Sequence, residues 1–294
     1  MNHLNDCAKS YIKNASKKER IEYIDKHIFL GYSAATNILN NIKSCYNLPK
    51  KNRMPNILVV GDSNNGKTEI LSHFVEKLPA YLEKGTEKPI CHALLIQAPP
   101  EPDERRFYNV ILETLHAPVK TSERIESRYS RVKNLLIQSE VKILLIDEIH
   151  HVLAGTPAKQ RLFLNVIKHL SNDLKIPLVC AGTRLAFNAI QSDHQLANRF
   201  EPRILPRWTD DLEYKRLMLG FEQNLPLLKE SNLIKASISR KVLAKSDGLI
   251  GEIAKILKLS TIMAIETGTE KITESIINKI DYISPAERKK AFYN

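Results

Sequence analysis

Apolar positions along the chain follow two rhythms. Over residues 16–46, Ile21, Ile24 and Ile28 recur at three and four, and Ala35, Ile38, Leu39 and Ile42 continue the stripe. This spacing predicts helix, with Gly31 separating two helices. The proline-bounded basic stretch PKKNRMP at 49–55 reads as a linker. The rhythm then changes. ILVV at 57–60 is an uninterrupted apolar run ending in a glycine, the pattern of a strand buried on both faces in a parallel sheet. LLIQ at 94–97, KILLID at 142–147, PLVCAG at 177–182 and the short RIL at 203–205 repeat it. Helical periodicity fills the intervals at about 68–78, 104–115, 123–139, 158–173 and 184–190. Strands alternating with helices predict an α/β fold, a parallel sheet with helices on both faces. From Thr209 to about Ile283 only the helical period persists. The expected domains are therefore residues 1–53, an N-terminal helical segment with basic linker; 54–206, an α/β nucleotide-binding core; and 207–294, a C-terminal helical lid.

Composition narrows the class. Hydrophobic residues make up 43% and charged residues 26% of the 294, which excludes a disordered chain. The longest apolar runs are too short to cross a bilayer, so no membrane association is expected. MNHLNDCAKS offers no signal-peptide core, and Cys7, Cys45, Cys91 and Cys180 have no metal or redox spacing. A cytoplasmic protein with reduced thiols is the expectation. The net charge of +11 is uneven. Residues 1–53 hold ten basic against four acidic residues, 54–206 nineteen against seventeen, and 207–294 fifteen against twelve. A basic N-terminal segment and the tail Arg288, Lys289 and Lys290 fit a polyanionic partner such as nucleic acid, and equally fit lysines that keep a helical surface soluble.

The chemistry starts at GDSNNGKTE: Gly61, Asp62, Ser63, Asn64, Asn65, Gly66, Lys67, Thr68 and Glu69. Glycine, four residues, glycine, lysine, threonine is the spacing of a phosphate loop, here between a predicted strand and a predicted helix. Backbone N–H groups at a helix start cradle phosphates. Lys67 is expected to reach the β- and γ-phosphates and the Thr68 hydroxyl to bind Mg²⁺. In ILLIDEIHH, Asp147 ends an apolar strand where a carboxylate holds the metal shell. Glu148 beside it is placed to polarise a water for attack on the γ-phosphate. This pair points to NTP hydrolysis. His150 and His151 have no further ligand at useful spacing and read as surface or packing residues. Thr183, after PLVCAG, sits where a polar side chain senses the γ-phosphate. Arg199, in LANRF, fits an arginine finger or a surface salt bridge, and spacing alone favours the salt bridge.

These stretches, with GYSAA (31–35), NRMPNILVVGDSNNGKT (52–68), PEPDERRFY (100–108), ILLIDEIHHVLAGT (143–156), QRLFLNVIKHLSNDLKIPLVCAGT (160–183), LANRFEPRILPRW (196–208) and ISPAER (283–288), run through nearly the whole chain. Together they resemble the TniB/TnsC family of AAA+ transposition ATPases, most closely TniB. The resemblance implies an AAA+ P-loop NTPase with a five-stranded parallel sheet of order 5-1-4-3-2 and a helical lid. It implies ATP and Mg²⁺ as cofactors, with Lys67 and Thr68 on phosphate and metal, Asp147 and Glu148 as the metal and hydrolysis pair, Thr183 as first sensor and Arg199 as finger.

It also implies homo-oligomeric rings or filaments on double-stranded DNA, without base specificity, that recruit a DDE transposase under a target-selection protein. DNA contact in relatives comes from the region between the second strand and the Asp-Glu strand. Here that region holds Arg105, Arg106, Lys120, Thr121 and Ser122. Against this, Arg105 and Arg106 stand beside Glu101, Asp103 and Glu104 and can pair with them. One departure is clear: where many AAA+ lids carry an arginine, this sequence has Gly251, which leaves Lys255 as the candidate lid sensor. An adaptor or helicase-loader-like AAA+ protein bridging other proteins is the alternative function.

Overall fold

A computed structural model describes residues 3–25, 29–153, 155–192 and 194–291. Ile28, part of the predicted N-terminal stripe, lies outside them. The chain forms two compact units. One comprises residues 34–63 and 67–205, the other residues 1–33, 64–66 and 206–294.

The first unit is built on a sheet of five strands: β1 (Asn56–Gly61), β2 (Ala93–Gln97), β3 (Ile143–Asp147), β4 (Leu178–Gly182) and β5 (Phe200–Leu205). All pairings are parallel, and the spatial order is β2-β3-β4-β1-β5. Read from the β5 edge this is the expected 5-1-4-3-2. Every residue of β1, β3 and β4 is buried, which is why these strands read as continuous apolar runs and not as alternation. β5 is longer than the predicted RIL and contains Pro202, tolerated because an edge strand leaves some of its amides outside the ladder. Helices Lys67–Glu76, Glu104–Thr114, Ile125–Gln138, Pro157–Leu174 and Arg184–Ser192 fill the intervals near the predicted bounds. Phe107 and Phe163, both buried, meet edge to face at 5.2 Å in the core. A two-stranded hairpin, Tyr81–Leu82 with Pro89–Ile90, was not legible in the apolar pattern because its tip is exposed.

The second unit is helical around a core that includes Tyr214, Leu217, Met218, Ile256, Leu257 and Ile265. Its N-terminal helices, Asp6–Ile12 and Lys17–Ile24, join it through Ile21 and Ile24, which pack on that core, and through polar bonds. Asn5 bonds the Gln223 carbonyl and the Asn224 side chain. Buried Arg20 donates to the Pro226 carbonyl at 3.0 and 2.7 Å and pairs with Glu270. The stretch expected as one N-terminal domain is thus shared out: residues 1–33 join the C-terminal helices, whereas 34–53 join the sheet, where Ala35, Ile38 and Ile42 are buried. Among the described residues no helix is long and apolar enough to cross a membrane.

Candidate functional site

The parallel sheet decides where chemistry collects. In register, Gly182 of β4 lies beside Val60 of β1, Cys180 beside Ile146 of β3, and Asp147 beside Gln97 of β2. The loop that begins at Gly61, the Asp147–Glu148 pair and Thr183 therefore emerge at the same carboxyl-terminal edge, where open α/β sheets bind ligands. Gln97 also ends there. It closes an apolar strand with a polar side chain, a signal present in LLIQ that sequence reasoning left unused.

After Gly61 the chain turns through Asn64 (φ +60°) and Gly66 (φ +83°), left-handed conformations that asparagine and glycine tolerate best. The Lys67–Glu76 helix follows at once, so its unpaired N–H groups open toward the loop. Lys67 is buried and its Nζ donates to the carbonyls of Gly61 (3.0 Å) and Asp62 (2.8 Å). Burial pulls its pKa down, against the opposing pull of Glu148, Asp147 and Asp62. Thr68 Oγ1 donates to Asp147 Oδ2 at 2.6 Å. Two residues 79 positions apart thus present a hydroxyl and a carboxylate to one point, a hard-oxygen pair suited to Mg²⁺. The other carboxylate oxygen, Asp147 Oδ1, accepts from the Glu148 N–H at 2.8 Å.

Glu148 has φ +54°, a strained left-handed backbone for a side chain of its size. Its Oε2 lies 2.9 Å from His150 Nδ1, at ion-pair distance though not aligned as a hydrogen bond. Burial lowers the His150 pKa, so the imidazole is neutral at pH 7 and the contact is not a full ion pair. The polar atoms of Glu148, His150 and His151 gather within 4.8 Å of one another, although the two histidines read from sequence as unrelated surface or packing residues. The short 3₁₀ turn Ile149–Leu153 brings them together. Thr183 Oγ1 is buried without a hydrogen-bond partner among the described residues. A buried hydroxyl at the edge that carries Lys67 and Asp147 fits a ligand oxygen as its partner.

Arg199 sits elsewhere. Its carbonyl accepts from the N–H of Asn56, the first residue of β1, at 3.1 Å. Gly61 lies five residues along that strand, about 17 Å away at ~3.3 Å per residue. Its guanidinium donates to the Asn172 amide oxygen at 2.6 Å, and among the described residues it forms no ion pair. Burial and the neighbouring Arg53 both lower its pKa.

The family model for the bacterial TniB protein matches residues 20–210. The chain belongs to the TniB family. No curated protein sequence matches it. Among solved structures it is similar to the Aeropyrum pernix ORC2 protein in ADPNP–ADP complexes (15% identity, TM-score 0.57, covering 88% of this chain and 70% of that one). It is also similar to the Aeropyrum pernix ORC1 protein in complex with DNA (14%, TM-score 0.61, 94% and 71%). A third is the Thermotoga maritima RuvB Holliday junction branch migration motor (15%, TM-score 0.52, 87% and 72%). At these identities the likeness establishes the fold, an AAA+ P-loop architecture.

In this TniB family member, the residues proposed for DNA lie on the helix Glu104–Thr114 and the loop after it. Arg105, Arg106, Lys120, Thr121 and Ser122 are all exposed. Of the acids set against the arginines, Asp103 and Glu104 have other partners. Asp103 caps the helix through the Arg106 N–H (2.8 Å), and Glu104 accepts from the Tyr108 hydroxyl (2.8 Å). Among the described residues neither guanidinium forms an ion pair. Beneath the loop lies Arg128, 1% exposed, which sequence reasoning missed. It donates to the Lys120 carbonyl and to Asn109 Oδ1 (2.7 Å), tying the loop to both flanking helices. An arginine on the apolar stripe of Ile125, Val132 and Leu136 was the available signal.

Proposed function

We propose that this protein is an ATP-dependent, DNA-binding AAA+ regulator of transposition. ATP binds at the Gly61–Glu69 loop, with Lys67 on the phosphates and Thr68 and Asp147 on Mg²⁺, which neutralises charge on the phosphate oxygens when bound. Glu148 orients the attacking water, Thr183 contacts the γ-phosphate, and the hydrolysis so catalysed limits the life of the assembly. Subunits oligomerise as a ring or helical filament on duplex DNA and recruit a DDE transposase, with a target-selection protein choosing the site. The observation that carries this reading is the Thr68–Asp147 contact in a TniB family chain. Arg199 supports the oligomer: at about 17 Å from its own loop by strand rise, it serves as a finger only toward a neighbouring subunit. Exposed Arg105, Arg106 and Lys120 support contact with DNA phosphates, which carries no sequence information.

Sedimentation with a random-sequence duplex, with and without ATP at low and moderate salt, tests the proposal. ATP-dependent, salt-sensitive co-sedimentation is expected. A protein that stays small and ignores DNA under all four conditions overturns it in favour of an AAA+ adaptor that bridges protein partners.

A further inference from the structure

The helix Ile250–Glu266 starts without a cap of its own. Leu249 occupies the N-cap position and has no side-chain acceptor to offer the orphan amides. The phosphate loop supplies one instead: the Gly251 N–H donates to the Asn64 carbonyl at 3.1 Å. A β-carbon on Gly251 would lie 1.9 Å from Asn64 Oδ1. This is a physical reason for glycine where the resemblance expects arginine. Lys255, the candidate lid sensor, has its ammonium 5.9 Å over the Tyr282 ring.

The next residue, Glu252, is only 4% exposed. Its carboxylate accepts four hydrogen bonds: from Asn64 Nδ2 (3.1 Å), the Tyr282 hydroxyl (2.7 Å), and Arg288 Nη1 (2.9 Å) and Nη2 (2.7 Å). Four donors fill the acceptor capacity of a carboxylate, so the buried charge is fully satisfied. Arg288 first, then Tyr282 and Asn64, hold the Glu252 pKa below the ordinary range against burial. Arg288 is itself aimed by the ISPAER segment. Ser284 and Glu287 cap the short helix reciprocally, and Arg288 Nε donates to the Ile283 carbonyl at 2.9 Å.

We propose that Glu252 is a positioning residue for the phosphate loop, clamped by Tyr282 and Arg288, so that the 282–288 segment sets the affinity for a nucleoside triphosphate. Asn64 is covalently part of the loop, three residues before Lys67. Whatever fixes its carbonyl and side chain fixes the turn whose amides receive the phosphates. With Arg288 removed, Glu252 keeps a buried charge with half its donors gone, and the carboxylate that holds the Asn64 side chain is itself less firmly fixed. The inference rests on the nucleotide-binding reading above.

Titration of the 294-residue protein with mant-ATP tests it, folding being checked by circular dichroism. Arg288→Ala is expected to weaken binding about tenfold, with Arg288→Lys restoring part of the loss. In an Asn64→Ala background Arg288→Ala should then add less than about twofold, because the two act through one contact, whereas a merely structural role gives additive losses. Tyr282→Phe, which deletes a single oxygen, should cost a few-fold and serves if Arg288→Ala fails to fold. Folded variants that bind as tightly as wild type, or whose losses add, overturn the inference alone. Wild-type protein that binds no mant-ATP overturns the nucleotide reading, and this inference with it.

Discussion

Glu148 shows how much of the proposed chemistry rests on one side chain. Its backbone is strained at φ +54°, its N–H is bound to Asp147, and its carboxylate lies against a neutral imidazole. Glu148→Gln keeps size and hydrogen bonding but removes the ability to take a proton. Steady-state phosphate release should fall about 100-fold or more, while mant-ATP binding is retained and the DNA complex outlives that of wild type. Equal loss of binding and turnover would place the residue in folding instead. The arginines permit a separate test. Arg105 and Arg106 are exposed and the adjacent Asp103 and Glu104 are engaged elsewhere, so each is available to a phosphate. Replacing both with alanine should reduce the slope of log affinity against log salt by about 1.8, at ~0.9 per phosphate contact, measured by duplex binding across salt. An unchanged slope would remove them from the DNA surface.

At the scale of elements, legibility followed burial. β1, β3 and β4 were plain in sequence because both of their faces are covered, whereas the Tyr81–Ile90 hairpin, with two-residue strands of which only Ile90 is buried, sets no apolar pattern. Thr68 and Asp147 were legible as types at the right spacing; their contact needed the β3 register, which only the fold supplies. Residues 1–33 read as helix, but their union with the C-terminal helices rests on distant contacts, Ile21 and Ile24 against the helical core and Arg20 with Glu270, 250 positions away. Gly182 was visible only as the end of a strand. A β-carbon there would meet Ile149 Cγ2 and Ala186 Cβ at 2.8 Å, and the His150 amide at 3.5 Å. The glycine lets the turn that follows Glu148 approach the end of β4. Gly182→Ala should therefore destabilise the protein by about 1–3 kcal/mol in urea unfolding. Because the strain falls on the turn, turnover should drop more than mant-ATP affinity. A neutral substitution would show that the turn has room to move.

For the chain as a whole, acid is the revealing variable. Two buried carboxylates of the helical unit titrate below the ordinary glutamate value of 4.5. In Glu252 the hydrogen bonds from Arg288 contribute most; in Glu270 burial pushes the pKa up, and the hydrogen bond and charge of Arg20 outweigh it. A carboxylate with a depressed folded pKa binds fewer protons when folded than unfolded. Its stabilising contribution is complete above the unfolded pKa, about 4.5, and is lost as pH falls through the folded one. The melting temperature should thus be level in this respect above pH 4.5 and fall below it. The pair Arg20→Met with Glu270→Leu removes one of the two sources without leaving an unpaired buried charge, and such replacements are often neutral or stabilising at neutral pH. The double variant should melt near or above wild type at pH 7 and lose less on acidification to pH 3. A steeper acid dependence than wild type would show that other carboxylates govern the transition.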